Sequence, residues 1–529
     1  MKSDDGYTQE NTGLNLLKKS RRGLARMLFS RAGLLLVLLM IQVGIIIGVL
    51  HYYSELFPGY YALSVIFSAA MAMYLINSRI DPTAKLTWLA VIFVLPVFGA
   101  LLLLYTRSDI GHRVMRDRFM EFTRDTLEKV PQNQEVLDRF EREVPEAAGL
   151  ARYLRRIGCH PVCGDTEVQY FPLGEDMFAE LLKQLEKAEK FIFLEYFIVD
   201  EGLMWGRILE ILARKAAQGV EVRLMYDGTC EFARLPHSYP RKLGELGIQC
   251  KAFAPITPFV STLYNYRDHR KVLVIDGKVA FNGGVNLADE YINRESPYGH
   301  WKDTAVMLRG EAVRSFTMMF LKMWNLSERE PAYDRFLDHD TDPQPQAPGY
   351  VLPFGDCPLD DERVGEWVYL DIFSRARDYV YMMTPYLILD GEMETAIKFA
   401  AERGVDVRLI LPGVPDKKLA WSLAKTHYKS LLLSGVRIYE YAPGFIHAKT
   451  CLCDGREAVV GTINLDYRSL YHHFECATYL NGVSCIPNIR EDFEKTLKKC
   501  REVSLESARK EKLSIKIAGL IMKLVAPLL

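Results

Sequence analysis

Apolar positions fall along the chain in two regimes. Near the start, three long stretches carry no charge: Ala32 to Ser54, Leu56 to Ser78 and Leu86 to Thr106. Each is long enough to cross the hydrocarbon layer as a helix. The first is too long for a cleaved signal peptide and is followed by more apolar chain, so it is expected to stay in the protein. Basic residues flank the group on both sides, from Lys18 to Arg31 before it and from Arg107 to Arg118 after it. The positive-inside rule puts both flanks in the cytoplasm, which three full spans do not allow. Either one segment is re-entrant or interfacial, or the rule does not hold for this chain. The third carries Pro96 and Gly99 near its middle, where a helix can break.

After a charged stretch from about 107 to 150, the pattern becomes that of a globular α/β protein. Lys190 to Val199 reads as a buried strand, Arg207 to Val220 as a helix ended by Gly219, and EVRLMYDG as the next strand. The order returns later. Tyr379 to Leu389 reads as a strand, ETAIKFAAERGV as a helix ended by Gly404, and DVRLILPG as a strand. AAQGVEVRLMYDG at 216–228 aligns with AAERGVDVRLILPG at 400–413, and GIQCKAF at 247–253 with GVRIYEY at 435–441. Matching elements in matching order indicate an internal duplication. A polar, Pro-rich linker, Asp338 to Tyr350, lies between the copies.

Each copy then carries one further block, HRKVLVIDG at 269–277 and HAKTCLCDG at 447–455. Both predict a β-hairpin, with Asp276–Gly277 and Asp454–Gly455 as two-residue turns. Side chains alternate along a strand, so His269 and Lys271 share a face, as do His447 and Lys449. Asp276 and Asp454 sit in the turns, where a structural role is expected. GGVN and GTIN follow the return strands and end in Asn286 and Asn464. Glycine permits close approach there. Further on, Asp303 and Glu475 are each suited to accept a hydrogen bond from the histidine of their own half and so fix its tautomer. Two histidines, two lysines and two asparagines around one pseudo-twofold centre suit a phosphodiester. One imidazole attacks phosphorus and the other moves the proton of the alcohol. The lysines supply the positive charge, so neither a metal nor another cofactor is expected. His472 and His473, near Glu475, are candidates for lining the pocket.

Charge and composition add limits. With 66 basic and 67 acidic residues the net charge is close to zero, and no basic, aromatic-rich groove is evident, so a nucleic-acid partner is not expected. Ten cysteines without a framework spacing, Cys159 and Cys163 included, read as free thiols in a reducing compartment. The C-terminal LSIKIAGLIMKLVAPLL places Leu513, Ile517, Leu520, Ile521 and Leu524 on one helical face, with Lys512, Lys516 and Lys523 able to meet anionic headgroups.

The paired blocks resemble the HxKxxxxD motifs of the phospholipase D superfamily, and the chain is similar to the bacterial cardiolipin synthases. NYRDHRKVLVIDGKVAFNGGVNLADEY, EYFIVDEG, TPYLILD and GTINLDYRS carry the resemblance, which extends over nearly all residues after about 56. It implies an α/β fold of two duplicated phospholipase D-like half-domains forming one pseudo-twofold active site, preceded by N-terminal transmembrane helices. It also implies transfer of a phosphatidyl group between two phosphatidylglycerol molecules, giving cardiolipin and glycerol through a phosphohistidine. His269, Lys271, Asp276, His447, Lys449 and Asp454 would form the catalytic motifs, with His269 the nucleophile by analogy with relatives. Asn286 and Asn464 would bind the phosphate, and Asp303 and Glu475 would orient the histidines. Thr462 stands where many relatives have Ser.

The expected division is a basic cytosolic tail (1–31), a membrane anchor (32–106), a charged connector (107–150), repeat 1 (151–332), a linker (333–355), repeat 2 (356–505) and an amphipathic C-terminal helix (506–529). The expected location is the cell membrane, multi-pass, with the catalytic part in the cytoplasm. Phosphatidylglycerol, cardiolipin and the bilayer are the expected partners. A membrane-bound hydrolase with water as acceptor is the rival enzyme. A lipid-binding scaffold without catalysis is disfavoured by the completeness of both motifs.

Overall fold

The computed structural model describes residues 58–94 except 79, then 99–100, 103–104, 110–255, 266–337 and 346–528, with isolated residues 44, 47 and 48. These fall in two compact units, one built mainly from residues 115–255 and 265–522, the other from residues before 115 and after 522.

The smaller unit contains a helical hairpin, Pro58–Asn77 and Pro82–Val94. Asp81 accepts a hydrogen bond from the Ala84 amide at 2.9 Å and so caps the start of the second helix. Met71, Leu75, Trp88 and Ile92 pack between the helices, while Val65, Ile66, Met73, Ile76, Leu86 and Phe93 are exposed. Among the described residues, no helix is long and apolar enough to cross a membrane. The segment Ala32–Ser54 lies outside the described residues, apart from positions 44, 47 and 48.

Among the described residues the larger unit holds two large sheets and one of two strands. The first is assembled from β1 (Thr166–Phe171), β2 (Phe191–Tyr196), β3 (Glu221–Asp227), β4 (Gln249–Phe253), β6 (Lys271–Ile275), β7 (Val279–Gly283) and β9 (Ala305–Gly310), while β5 (Arg267–Asp268) and β8 (His300–Lys302) stand apart from it. Its strand order is β1-β9-β7-β6-β2-β3-β4. The second uses β10 (Tyr350–Asp356), β11 (Tyr379–Met383), β12 (Asp406–Pro412), β13 (Arg437–Tyr441), β15 (Thr450–Cys453), β16 (Glu457–Gly461), β17 (His473–Asn481) and β18 (Cys500–Glu502), with β14 (Gly444–Ile446) outside it. Its order is β10-β17-β16-β15-β11-β12-β13-β18. Strand for strand the two orders coincide, with β18 as an addition at one edge, so the duplication is one of topology as well as sequence.

Helices Leu203–Ala217 and Gly391–Glu402 supply the crossovers between the parallel pairs β2–β3 and β11–β12. Gly219 at φ +91 and Gly404 at φ +96 take the left-handed conformation that ends each helix. Two expectations from sequence need correction. The strand read as Tyr379–Leu389 stops at Met383, because Pro385 offers no amide to continue the ladder. The linker read as 333–355 is shorter. Residues 338–345 lie outside the described set, but Asp334–Leu337 is helical and β10 pairs antiparallel with β17 from Tyr350↔Asn481 to Asp356↔Glu475. β10 is the counterpart of β1, and without it β17 would lack its outer partner.

Apolar side chains from both sheets, among them Phe193, Val272 and Val306 from the first and Ile410, Val460 and Phe474 from the second, form one core shared by the halves. The helix Val313–Asn325 is buried within it on nearly every side. Separate cores cover the outer face of each sheet.

Candidate active site

Two short parallel pairings cross between the halves. β5, just before His269, pairs with β17 through Arg267↔His473 and Asp268↔Phe474. β14, just before His447, pairs with β8 through Gly444↔His300, Phe445↔Trp301 and Ile446↔Lys302. The His269 amide donates to the Phe474 carbonyl at 2.9 Å, and the His447 amide to the Lys302 carbonyl at 2.7 Å. Each histidine is thus delivered beside the residue preceding the other half's carboxylate.

The side chains follow. His269 Nδ1 lies 2.9 Å and 3.0 Å from the two oxygens of Glu475, and His447 Nδ1 lies 2.6 Å from Asp303 Oδ2. Both pairs are buried. The expectation that each carboxylate serves its own half is therefore corrected: the partners are exchanged, because the crossed strand pairs set the register. Donation from Nδ1 to a carboxylate leaves Nε2 as the nitrogen available for chemistry in both rings.

Lys271 and Lys449 are each 1% exposed, and each ammonium donates to the carbonyl of its own motif histidine. Lys449 Nζ also lies 3.0 Å from His447 Nδ1. Arg270, between His269 and Lys271, points the other way and pairs with Glu195 at 2.5 Å and Asp268 at 3.2 Å. The alternation along the strand thus separates site-facing from core-facing charge.

Burial dominates the electrostatics. It pushes the His447 imidazole down to about 4, with Lys449 acting in the same direction, and it pushes His269 well below its ordinary range. It lowers Lys271 to about 8 and Lys449 to about 7. Burial would raise the two carboxyls, but the neighbouring imidazoles outweigh it. His269 holds Glu475, and His447 holds Asp303, below the usual carboxylate range. The site thus has two neutral imidazoles facing two ionised carboxylates, with ammonium groups close to their neutral point.

Asp276 and Asp454 are not part of this cluster, a correction to their place among the catalytic motif residues. Asp276 accepts from the amides of Glu189, Lys190 and Phe191 at 2.8, 2.7 and 2.7 Å. Asp454 does the same for Arg377, Asp378 and Tyr379 at 2.8, 2.9 and 2.8 Å. Both lie at the far end of their strand from the histidine, about 23 Å along an extended chain. Their positive φ values, 53 and 48, belong to the tight hairpin turn, and their carboxylates staple that turn to the start of β2 or β11.

Asn286 Oδ1 accepts from the Ile198 amide at 3.0 Å and its Nδ2 donates to the Tyr291 hydroxyl at 2.7 Å. The Tyr291 ring in turn lies 5.3 Å from that of His447. Asn464 Oδ1 is buried with no hydrogen-bond partner among the described residues. Gly284 is required: a Cβ there would come within 2.1 Å of Asp303 Oδ1.

Sequence reasoning missed the second ring of contacts. The Thr462 hydroxyl donates to Glu475 Oε2, and Ser469 Oγ donates to Glu475 Oε1 at 2.6 Å. Thr462 was visible in the GTIN block, but Ser469, six residues before Glu475 on the single-turn π-helix Arg468–His472, has no signature in the sequence. Among the described residues, two groups of side chains bring donors of metal-ligand type within 4.8 Å of one another, His269–His473–Glu475 and Glu366–Asp390–Glu392. In the first, the Glu475 carboxylate is already engaged by His269, Thr462 and Ser469.

Comparison with known proteins fits this geometry. The family model described as "Cardiolipin synthase, PLD-like domain" matches residues 181–324 and 369–497, one half of the duplication each, and the phospholipase D-nuclease N-terminal model matches 66–105. An uncharacterized protein of Streptococcus mutans is 55% identical over 86% of this chain and 99% of its own length. A cardiolipin synthase of Geobacillus kaustophilus is 32% identical over 93% of this chain and 98% of its own. Among solved structures, phosphatidylserine synthase of Haemophilus influenzae aligns with a TM-score of 0.55 at 14% identity, covering 73% of this chain and all of that one, which is a likeness of fold. With both halves matched by the family model and relatives aligned end to end, the chain belongs to the cardiolipin synthase family of the phospholipase D superfamily.

Proposed function

We infer that the protein is a phosphatidyltransferase that makes cardiolipin and glycerol from two molecules of phosphatidylglycerol. The observation that carries this is the exchanged pair of His–carboxylate contacts. Each pair joins a histidine of one half to a carboxylate of the other and leaves its Nε2 for chemistry, which supports a shared centre served by Lys271 and Lys449.

One imidazole Nε2 attacks the phosphodiester phosphorus. An N–P bond forms, the P–O bond to the glycerol headgroup breaks, and the second imidazole, protonated to imidazolium once the phosphate anion has bound, gives that oxygen its Nε2 proton. The headgroup hydroxyl of the next phosphatidylglycerol then passes its proton to the second imidazole and attacks phosphorus, and the N–P bond breaks. One phosphodiester is lost and one gained, so no nucleotide is consumed. Lys271, Lys449 and the Asn464 amide stabilise the phosphoryl oxygens. Asn286 acts by holding Tyr291 against His447. Glu475 and Asp303 keep the tautomers and stabilise each imidazolium as it forms.

The bilayer is the natural site of such a reaction. Leu513, Ile517, Leu520, Ile521 and Leu524 are all exposed on the helix Leu513–Val525, and the hairpin Pro58–Val94 exposes a second apolar surface. Large exposed apolar faces of this kind mark interaction with membrane or protein. We read the N-terminal segments as a multi-pass anchor and, from the flanking basic residues, the catalytic halves as cytoplasmic.

The test is incubation of the reconstituted full chain with labelled phosphatidylglycerol and EDTA, without nucleotide, followed by mass spectrometry. Cardiolipin with free glycerol, absent in His269→Ala and His447→Ala, is the expected result. Phosphatidic acid alone would make water the acceptor and the protein a hydrolase.

A further inference from the structure

A third imidazole lies beside the exchanged pairs. His473 opens β17, and because side chains alternate along a strand it shares a face with Glu475, the partner of His269. Its ring lies 5.3 Å from that of His269 and 6.4 Å from that of Phe197. It is 7% exposed, and neither ring nitrogen has a hydrogen-bond partner among the described residues. Its Nδ1 is 3.6 Å from Glu475 Oε1, and the oxygens of Glu475 already accept from His269, Thr462 and Ser469. The carboxylate therefore does not need His473. Buried polar groups are normally satisfied, so an imidazole whose Nε2 has no partner among the described residues and whose Nδ1 has only this long contact to Glu475 points to a ligand.

A neutral imidazole presents one donor and one acceptor, the complement of an alcohol hydroxyl. We propose that His473 binds a hydroxyl of the glycerol headgroup on the His269 side of the site, so that His269 is the acid/base and His447 the nucleophile. The proposal rests on the phosphatidyltransfer reading above. It reverses the nucleophile suggested by analogy, for a geometric reason. In an in-line displacement the alcohol leaves and enters opposite the attacking nitrogen, so a group that reads the alcohol must sit with the acid/base. In the first step His447 Nε2 bonds to phosphorus, the headgroup oxygen departs, and His269, protonated to imidazolium once the phosphate anion has bound, gives it the Nε2 proton. In the second, the incoming glycerol hydroxyl gives its proton to His269 and takes phosphorus from His447. Leaving and entering glycerol occupy one subsite, so a single residue serves both.

The experiment uses the full chain in phosphatidylglycerol vesicles with equal concentrations of deuterated glycerol and 1-propanol as free acceptors. The readout is the ratio of deuterated phosphatidylglycerol to phosphatidylpropanol, which is internal to each sample and independent of how much active enzyme a variant retains. The wild type should favour glycerol by roughly tenfold or more, His473→Phe should bring the ratio to within about twofold of unity, and His473→Gln should keep most of the preference. An unchanged ratio in His473→Phe would overturn the proposal. A wild type that transfers from phosphatidylglycerol to no acceptor would instead defeat the functional reading beneath it. A second measurement covers a variant that does not fold. A 4-nitrophenyl phosphodiester has a leaving group that needs no proton, so His269→Ala should still release a burst of nitrophenolate and His447→Ala should not. The reverse pattern would put the alcohol on the other side and refute the assignment.

Discussion

His269 Nδ1 and Glu475 Oε1 lie 2.9 Å apart although 206 residues separate them in the chain. His447 and Asp303 repeat the relation in the opposite sense. Neither half therefore contains a complete histidine–carboxylate unit.

This exchange predicts strong coupling. Glu475→Gln should lower kcat by about 10²- to 10⁴-fold while leaving the fold intact, since it removes the group that fixes the tautomer and stabilises the imidazolium. Combining it with His269→Ala should add little to the single histidine variant, whereas combining Glu475→Gln with Asp303→Asn should be worse than either alone. Turnover of the three single and two double variants in vesicles checks this.

A methyl group should be enough to disturb one side. Gly284→Ala would set Cβ 2.1 Å from Asp303 Oδ1, so the carboxylate must shift from the position that holds His447. A misplacement of that size costs about 10²-fold in kcat. The loss should resemble that of Asp303→Asn, with KM changed less than kcat.

The turn aspartates should behave differently. Asp276→Ala leaves the amides of Glu189, Lys190 and Phe191 without their acceptor. Stability should fall by about 2–4 kcal/mol, with activity per folded molecule largely kept. Thermal melting measured beside single-turnover rates separates the two effects, and a variant stable but inactive would return Asp276 to the chemistry.

Lysine protonation should set the alkaline limit of substrate binding. With Lys449 at about 7 and Lys271 at about 8, the ammonium form is present below these values and is lost as pH rises through them. KM for phosphatidylglycerol should rise by roughly an order of magnitude between pH 7 and 9. The change in kcat should be smaller, because the bound phosphate favours the charged lysines. Kinetics across that range on anionic vesicles of fixed composition would reveal a flat KM if the lysines do not contact the phosphate.

The sequence by itself determined the local facts. Hydrophobic period and glycine stops gave the strand–helix–strand units, the Asp–Gly pairs gave the hairpins, and the repeated His-x-Lys spacing marked both candidate blocks and the shared face of each His and Lys. These follow from interactions over a few residues, which short patterns encode. Only the tertiary structure decided which carboxylate serves which histidine, because that depends on β5 pairing with β17 and β14 with β8, contacts between residues more than 140 positions apart. The same is true of Ser469 on Glu475 and of His473 beside His269. The sequence carries the same histidine, lysine and carboxylate ingredients twice over; packing the two sheets on one shared core exchanged their partners.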